Sequence, residues 1–100
     1  MKIKEMEQRT GIPSANIRYY EKEGLLHPVR KENNYREYSE EDLNRLEQIK
    51  ILRLLGVSLE DIRKIYEGDL TLDSVMAERL EALDNEESQL KEIRRVCENI

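Results

Sequence analysis

The chain has 100 residues, 38% apolar and 39% charged, against about 45–50% and 25% in an average soluble domain; it can close one small core, leaves little material for a deep substrate cavity, and is short enough of apolar surface to draw part of its burial from a second copy of itself. One cysteine, Cys97, excludes an internal disulfide framework and a metal site of several thiolates, one histidine, His27, excludes most two-histidine sites, and no apolar run approaches a membrane span or signal peptide, which together point to the cytoplasm. The net charge of −5 hides a gradient, since residues 1–36 carry +3, residues 37–67 carry −3 and residues 68–100 carry −5, so an anionic partner would feel the front of the chain.

In chain order, Ile3 and Met6 lie three apart and start a short amphipathic helix over Ile3–Arg9, stopped by Thr10-Gly11. The next helix opens at Pro13-Ser14, proline being favoured near a helix start and serine being a natural cap, and runs to about Glu23 before Gly24. Two helices joined by the turn from Thr10 to Pro13 fit a helix-turn-helix. Leu25, Leu26 and Val29 follow as apolar anchors. Asn33-Asn34 tolerates positive φ and reads as a two-residue hairpin turn. It lies between Arg30-Lys31-Glu32 and Tyr35-Arg36-Glu37-Tyr38, whose tyrosines favour extended backbone, so a small β-ribbon or wing is expected.

Ser39-Glu40-Glu41-Asp42 reads as a capping box with acids at the positive helix end. That helix continues through Leu43, Leu46, Ile49, Leu52 and Leu55 to Gly56. Its last turns are apolar on most sides and are expected to run through the core. Ser58-Leu59-Glu60-Asp61 is a second box opening a short helix with Leu59, Ile62 and Tyr66 on one face, ended by Gly68. Both boxes are ordinary helix punctuation.

Beyond Gly68 the character changes. Residues 71–100 contain neither Gly nor Pro, and Met76, Leu83, Leu90 and Cys97 recur every seven residues. Leu72, Ile93 and Ile100 fit the second seam position, which Arg79 and Glu86 interrupt. A helix of roughly 28 residues is about 42 Å long. It is too polar to be buried by so small a domain and too long to stand alone, so the same helix of a second subunit is the expected partner. In that seam Glu86 needs a counter-ion, for which Arg79 of the antiparallel partner is a candidate. Cys97 is read as a small apolar seam residue, His27 as a surface residue, and Asp84-Asn85-Glu86-Glu87 as a solvated face.

The chemistry concentrates in the second helix. Its periodicity turns Ile17, Tyr20 and Gly24 inward and Ala15, Asn16, Arg18, Tyr19 and Lys22 outward. A guanidinium, an ammonium, a phenol and a carboxamide beside a small alanine suit a helix in a DNA major groove. A mixed polar, solvated face is the bland alternative. The tyrosines shift the weight: Tyr19, Tyr20, Tyr35 and Tyr38 fall among Arg18, Lys22, Arg30, Lys31 and Arg36, and Arg, Lys and phenol together make a phosphate-binding surface. Tyr20 and Tyr66 are assigned to the core. Tyr38 fits either reading and is kept in the DNA-binding set.

Ile17-Arg18-Tyr19-Tyr20-Glu21, Gly24-Leu25-Leu26, Asn33-Asn34-Tyr35-Arg36-Glu37-Tyr38-Ser39, Leu43, and Leu55-Gly56-Val57-Ser58-Leu59-Glu60-Asp61-Ile62 together resemble the MerR family of bacterial transcription regulators. The resemblance runs almost unbroken over residues 1–68, and residues 69–100 resemble the family's dimerisation helix. It implies a homodimer with two helix-turn-helix units and two wings, held by an antiparallel coiled coil. It implies binding to a pseudo-palindromic operator in double-stranded DNA, inside an unusually long promoter spacer. The bound spacer is bent and untwisted so that RNA polymerase sees both promoter elements. Carried onto this chain, Ser14, Asn16, Arg18 and Tyr19 belong to the recognition helix, Arg36 and Tyr38 to the wing–helix junction, and Arg30, Lys31 and Tyr35 to the ribbon near phosphate. The family's wing turn usually carries Asn-Gly where this chain has Asn33-Asn34. Family members usually continue past the position of Ile100 into a sensing segment, and the small-molecule effector is left unassigned.

The expected fold is therefore mostly α: a winged helix-turn-helix with a small two-stranded wing at 1–68, then a long C-terminal coiled-coil helix at 69–100. The expected function is a dimeric, sequence-specific DNA-binding transcriptional regulator without cofactor or metal. One alternative is a ligand-independent architectural or excisionase-like winged-helix protein, and another is a helical protein-interaction module that binds no DNA. An enzyme is not expected, because the lone His and Cys are far apart, no glycine loop cradles phosphate, and carboxylates are spread over exposed helices.

Overall fold

A computed structural model describes residues 1–31 and 35–100; the Asn33-Asn34 turn lies outside the described residues. Helix α1 (Ile3–Thr10) ends where Gly11 turns left-handed at φ 75° and donates its N–H to the Glu7 carbonyl. The following turn is stapled from inside. The buried Thr10 hydroxyl donates to the Met6 carbonyl at 2.7 Å and accepts from the Ile12 N–H at 3.1 Å, and Lys50 Nζ donates to the Thr10 carbonyl at 2.6 Å. Helix α2 (Ser14–Lys22) starts after Pro13, which offers no side-chain cap. Ser14, expected as the cap, is instead the first helical residue, and its hydroxyl donates to the Glu7 carboxylate of α1.

Strands β1 (Val29–Arg30) and β2 (Arg36–Glu37) pair antiparallel, Val29 opposite Glu37 and Arg30 opposite Arg36. The chain start joins them: the Tyr38 N–H donates to the Met1 carbonyl at 2.7 Å, and the Met1 ammonium donates to the Tyr38 carbonyl at 2.7 Å and Glu37 Oε1 at 2.8 Å. Helix α3 (Glu40–Leu54) opens on a complete capping box between Ser39 and Asp42. The buried Asp42 carboxylate also accepts from the His27 N–H at 3.3 Å, which ties the wing's approach to the start of α3. Helix α4 (Leu59–Glu67) is capped by the Ser58 side chain and α5 (Leu72–Glu98) by Thr71.

The apolar side chains form two clusters. Met6, Ile12, Ile17, Leu26, Tyr38, Leu43 and Leu46 lie under the helix-turn-helix. Leu25, Ile49, Val57, Ile62 and Val75 lie between α3, α4 and the first turns of α5. Tyr20 packs against both. The end of α3 departs from expectation: Ile51, Leu54 and Leu55 are 56%, 85% and 45% exposed. An all-round apolar segment has here an uncovered side rather than a core on every side.

Helix α5 leaves the domain. Val75 is buried and Met76 packs on the second cluster, so Met76, placed in the intersubunit seam from sequence, is occupied within its own chain. Leu83 is half-buried, while Leu72, Leu90, Ile93, Cys97 and Ile100 are exposed. Leu80 and Val96, which the heptad omitted, are also exposed at 63% and 46%. The Cα radius of gyration is 18.4 Å, against about 13 Å for a compact chain of this length. Arg79 anchors the departure: its Nε donates to the Leu55 carbonyl at 2.8 Å, over Gly56 at φ 89°. Within the chain, Arg79 Nη1 also stands 3.5 Å from Glu86 Oε1, two turns along the same helix.

Candidate nucleic-acid interface

Packing of α2 against the first cluster decides which of its side chains face out. Ile17 is fully buried and Tyr20 half-buried, while Ala15, Asn16, Arg18 and Lys22 are exposed and Tyr19 is 50% exposed, its ring tilted against Tyr20 with centroids 6.2 Å apart. Ser14 is half-buried and bonded to Glu7. The ribbon adds exposed Arg30, Lys31 and Tyr35, the Lys31 N–H donating to the Tyr35 carbonyl at 2.9 Å.

Two clefts bring helix and wing together. One, about 450 Å³, is lined by Lys2, Ile3, Lys4, Arg18, Tyr35 and Arg36. The other, about 380 Å³, is lined by Arg18, Glu21, Lys22, Arg30 and Arg36. Arg18 and Arg36 are common to both. Ser14, Asn16, Tyr19 and Lys31 are not among the lining residues of either.

Arg36 is not a free cation. Its Nε lies 2.6 Å from Glu21 Oε2 on α2, out of line for a good hydrogen bond on either side. This contact with the carboxylate holds the Arg36 guanidinium above its ordinary pKa. The pair links the wing to α2. Tyr38 departs from the surface role: its ring belongs to the first cluster, it is 2% exposed, and its hydroxyl is buried with no hydrogen-bond partner among the described residues. Burial first, and then the nearby Glu21 charge, push its pKa up to about 12. Pairing of its backbone with Met1 and of β1 with β2 sets which side of the ribbon this ring takes, and that side is the core.

Lys2 and Lys4, outside the candidate set read from sequence, also line the first cleft. A signal for Lys4 existed, because it stands in the first turn of α1, where the helix dipole disfavours a cation. Among the described residues no helix is long and apolar enough to cross a membrane.

Residues 1–69 match the family described as MerR HTH family regulatory protein. The chain is similar to the HTH-type transcriptional regulator HmrR of Rhizobium leguminosarum bv. viciae, 35% identical over 107 aligned positions that take in 100% of this chain and 83% of that protein. It is 38% identical over 79 positions to the HTH-type transcriptional regulator AdhR of Bacillus subtilis (strain 168), covering 74% of this chain but only 56% of that protein. Among solved structures it resembles HiNmlR, a MerR family regulator lacking the sensor domain, bound to promoter DNA, with a TM-score of 0.65, 29% identity, and coverage of 98% of this chain and 78% of that one.

Proposed function

The chain belongs to the MerR family of DNA-binding transcriptional regulators, and from that premise we propose that it works in the cytoplasm as a homodimer on a pseudo-palindromic promoter operator in double-stranded DNA. Residues 1–68 bind the duplex and residues 69–100 pair the subunits. Each subunit lays α2 in a major groove, with Asn16, Arg18 and Tyr19 toward base edges and Lys22, Arg30, Lys31 and Arg36 toward phosphate. The two subunits meet through α5, along Leu72, Leu83, Leu90, Ile93, Cys97 and Ile100, joined by Leu80 and Val96. Bending and untwisting of the spacer presents both promoter elements to RNA polymerase.

The observation that carries this reading is the sharing of Arg18 and Arg36 by two clefts between α2 and the wing, with Arg36 locked to α2 through Glu21. It puts cationic side chains of α2 and the wing on one face of each subunit. The test is selection of bound fragments from a random oligonucleotide pool, followed by footprinting. Two inverted half-sites about one helical turn apart are expected. Extended or tandem protection would favour an architectural protein, and absence of any selected fragment at low salt would favour a protein-interaction module.

A further inference from the structure

Lys2 and Lys4 belong neither to the outward face of α2 nor to the ribbon, yet both line the larger cleft. Its charged wall is Lys2, Lys4, Arg18 and Arg36, its apolar floor is Ile3 and Tyr35, and among the described residues no carboxylate lines it. Lys2 Nζ stands 5.2 Å from the centroid of the Tyr35 ring, which steers that ammonium over the floor. The first turn of α1 opens into the same space, and its N-cap, Lys2, supplies no side-chain acceptor, so the positive helix end adds to the field. Lys4 makes no ion pair among the described residues, in a position where the dipole alone disfavours it by about 0.3–1 kcal/mol. Lys2 and Lys4 beside an apolar floor match a sugar-phosphate unit: the phosphate meets the two ammonium groups, with Arg36 held by Glu21 and Arg18 turned to the bases, and the deoxyribose lies on Ile3 and Tyr35.

We propose that this cleft seats one backbone phosphodiester of the duplex, with Lys2 and Lys4 as ligands beyond the bases that α2 reads. The assignment rests on the DNA-binding reading above. A phosphate contact carries no sequence information. Its loss therefore weakens binding to every sequence alike, whereas loss of a base contact erodes discrimination.

The experiment titrates the intact chain, Lys2→Gln/Lys4→Gln, Lys2→Arg/Lys4→Arg and Arg18→Ala against a selected operator and an arbitrary duplex across a salt series. For the glutamine variant, the slope of log K on log salt becomes shallower by about one to two. Affinity drops by the same factor on both duplexes, the circular dichroism spectrum is unchanged, and the arginine variant restores slope and affinity. A glutamine variant with the slope of the original chain overturns the cleft assignment, as does a loss confined to the operator. If that happens while Arg18→Ala still loses discrimination, only the cleft assignment fails. If the original chain binds neither duplex at low salt, the DNA-binding reading falls with it.

Discussion

Tyr38 holds a phenol in the core: its hydroxyl is buried, has no hydrogen-bond partner among the described residues, and is pushed up to about 12 in pKa. An unsatisfied buried hydroxyl costs about 1–3 kcal/mol, so Tyr38→Phe should leave stability unchanged or raise it by about 1 kcal/mol, read as an upward Tm shift, with operator affinity intact. The same residue sets an alkaline limit. Its folded pKa lies above the ordinary value near 10, so between these two values the unfolded chain loses a proton that the folded chain keeps. Stability is then complete below about pH 10 and falls as pH rises toward 12. Tyr66, also raised by burial, contributes in the same direction. Tyr38→Phe should reduce that alkaline loss in denaturant titrations, and an unaltered pH profile would refute the assignment. Arg18 is the opposite case, exposed and common to both clefts. Arg18→Ala should cost about 1–3 kcal/mol of operator binding if it pairs with a guanine, with the folded spectrum unchanged.

At the level of elements, the joint between α3, α4 and α5 turns on Gly56. A side chain there would meet a φ of 89°, and its Cβ would stand 2.8 Å from Arg79 Nε. Gly56→Ala should therefore destabilise the domain by about 1–2 kcal/mol from the left-handed backbone alone, with a further loss as Arg79 leaves the Leu55 carbonyl. In a double-mutant cycle with Arg79→Ala, the second loss should vanish while the first remains. The elements themselves were legible from sequence wherever their signals are local. The start of α3 shows in Ser39 and Asp42, the end of α1 in Gly11, and the outward face of α2 in the spacing of Ile17 and Tyr20. What stayed illegible depends on distant segments. The side taken by Tyr38 depends on pairing with Met1. Lys2 and Lys4 join Arg18 and Arg36 only once α1, α2 and the wing have assembled. The apolar end of α3 reads alike whether a core or a second molecule covers it, so its last turns are expected in the core although Leu55 is 45% exposed.

The molecule as a whole is 67 Å long and 30 Å wide, a small head with a bare helical arm. Leu80, Leu90, Ile93 and Val96 remain exposed along that arm. Under the homodimer reading, Leu90→Lys should shift the sedimenting species from dimer to monomer and reduce palindrome binding far more than binding to a single half-site. Affinity of the intact dimer should also fall steeply with salt, by about 10³–10⁵ between 50 and 200 mM for 6–10 phosphate contacts. The arm carries a consequence for gene control. If only paired chains grip a full operator, promoter occupancy at low expression rises with the square of copy number, and a modest change in synthesis becomes a sharp change in output. An unmated chain would also offer proteases a long unprotected helix, so scarcity would hasten its own removal.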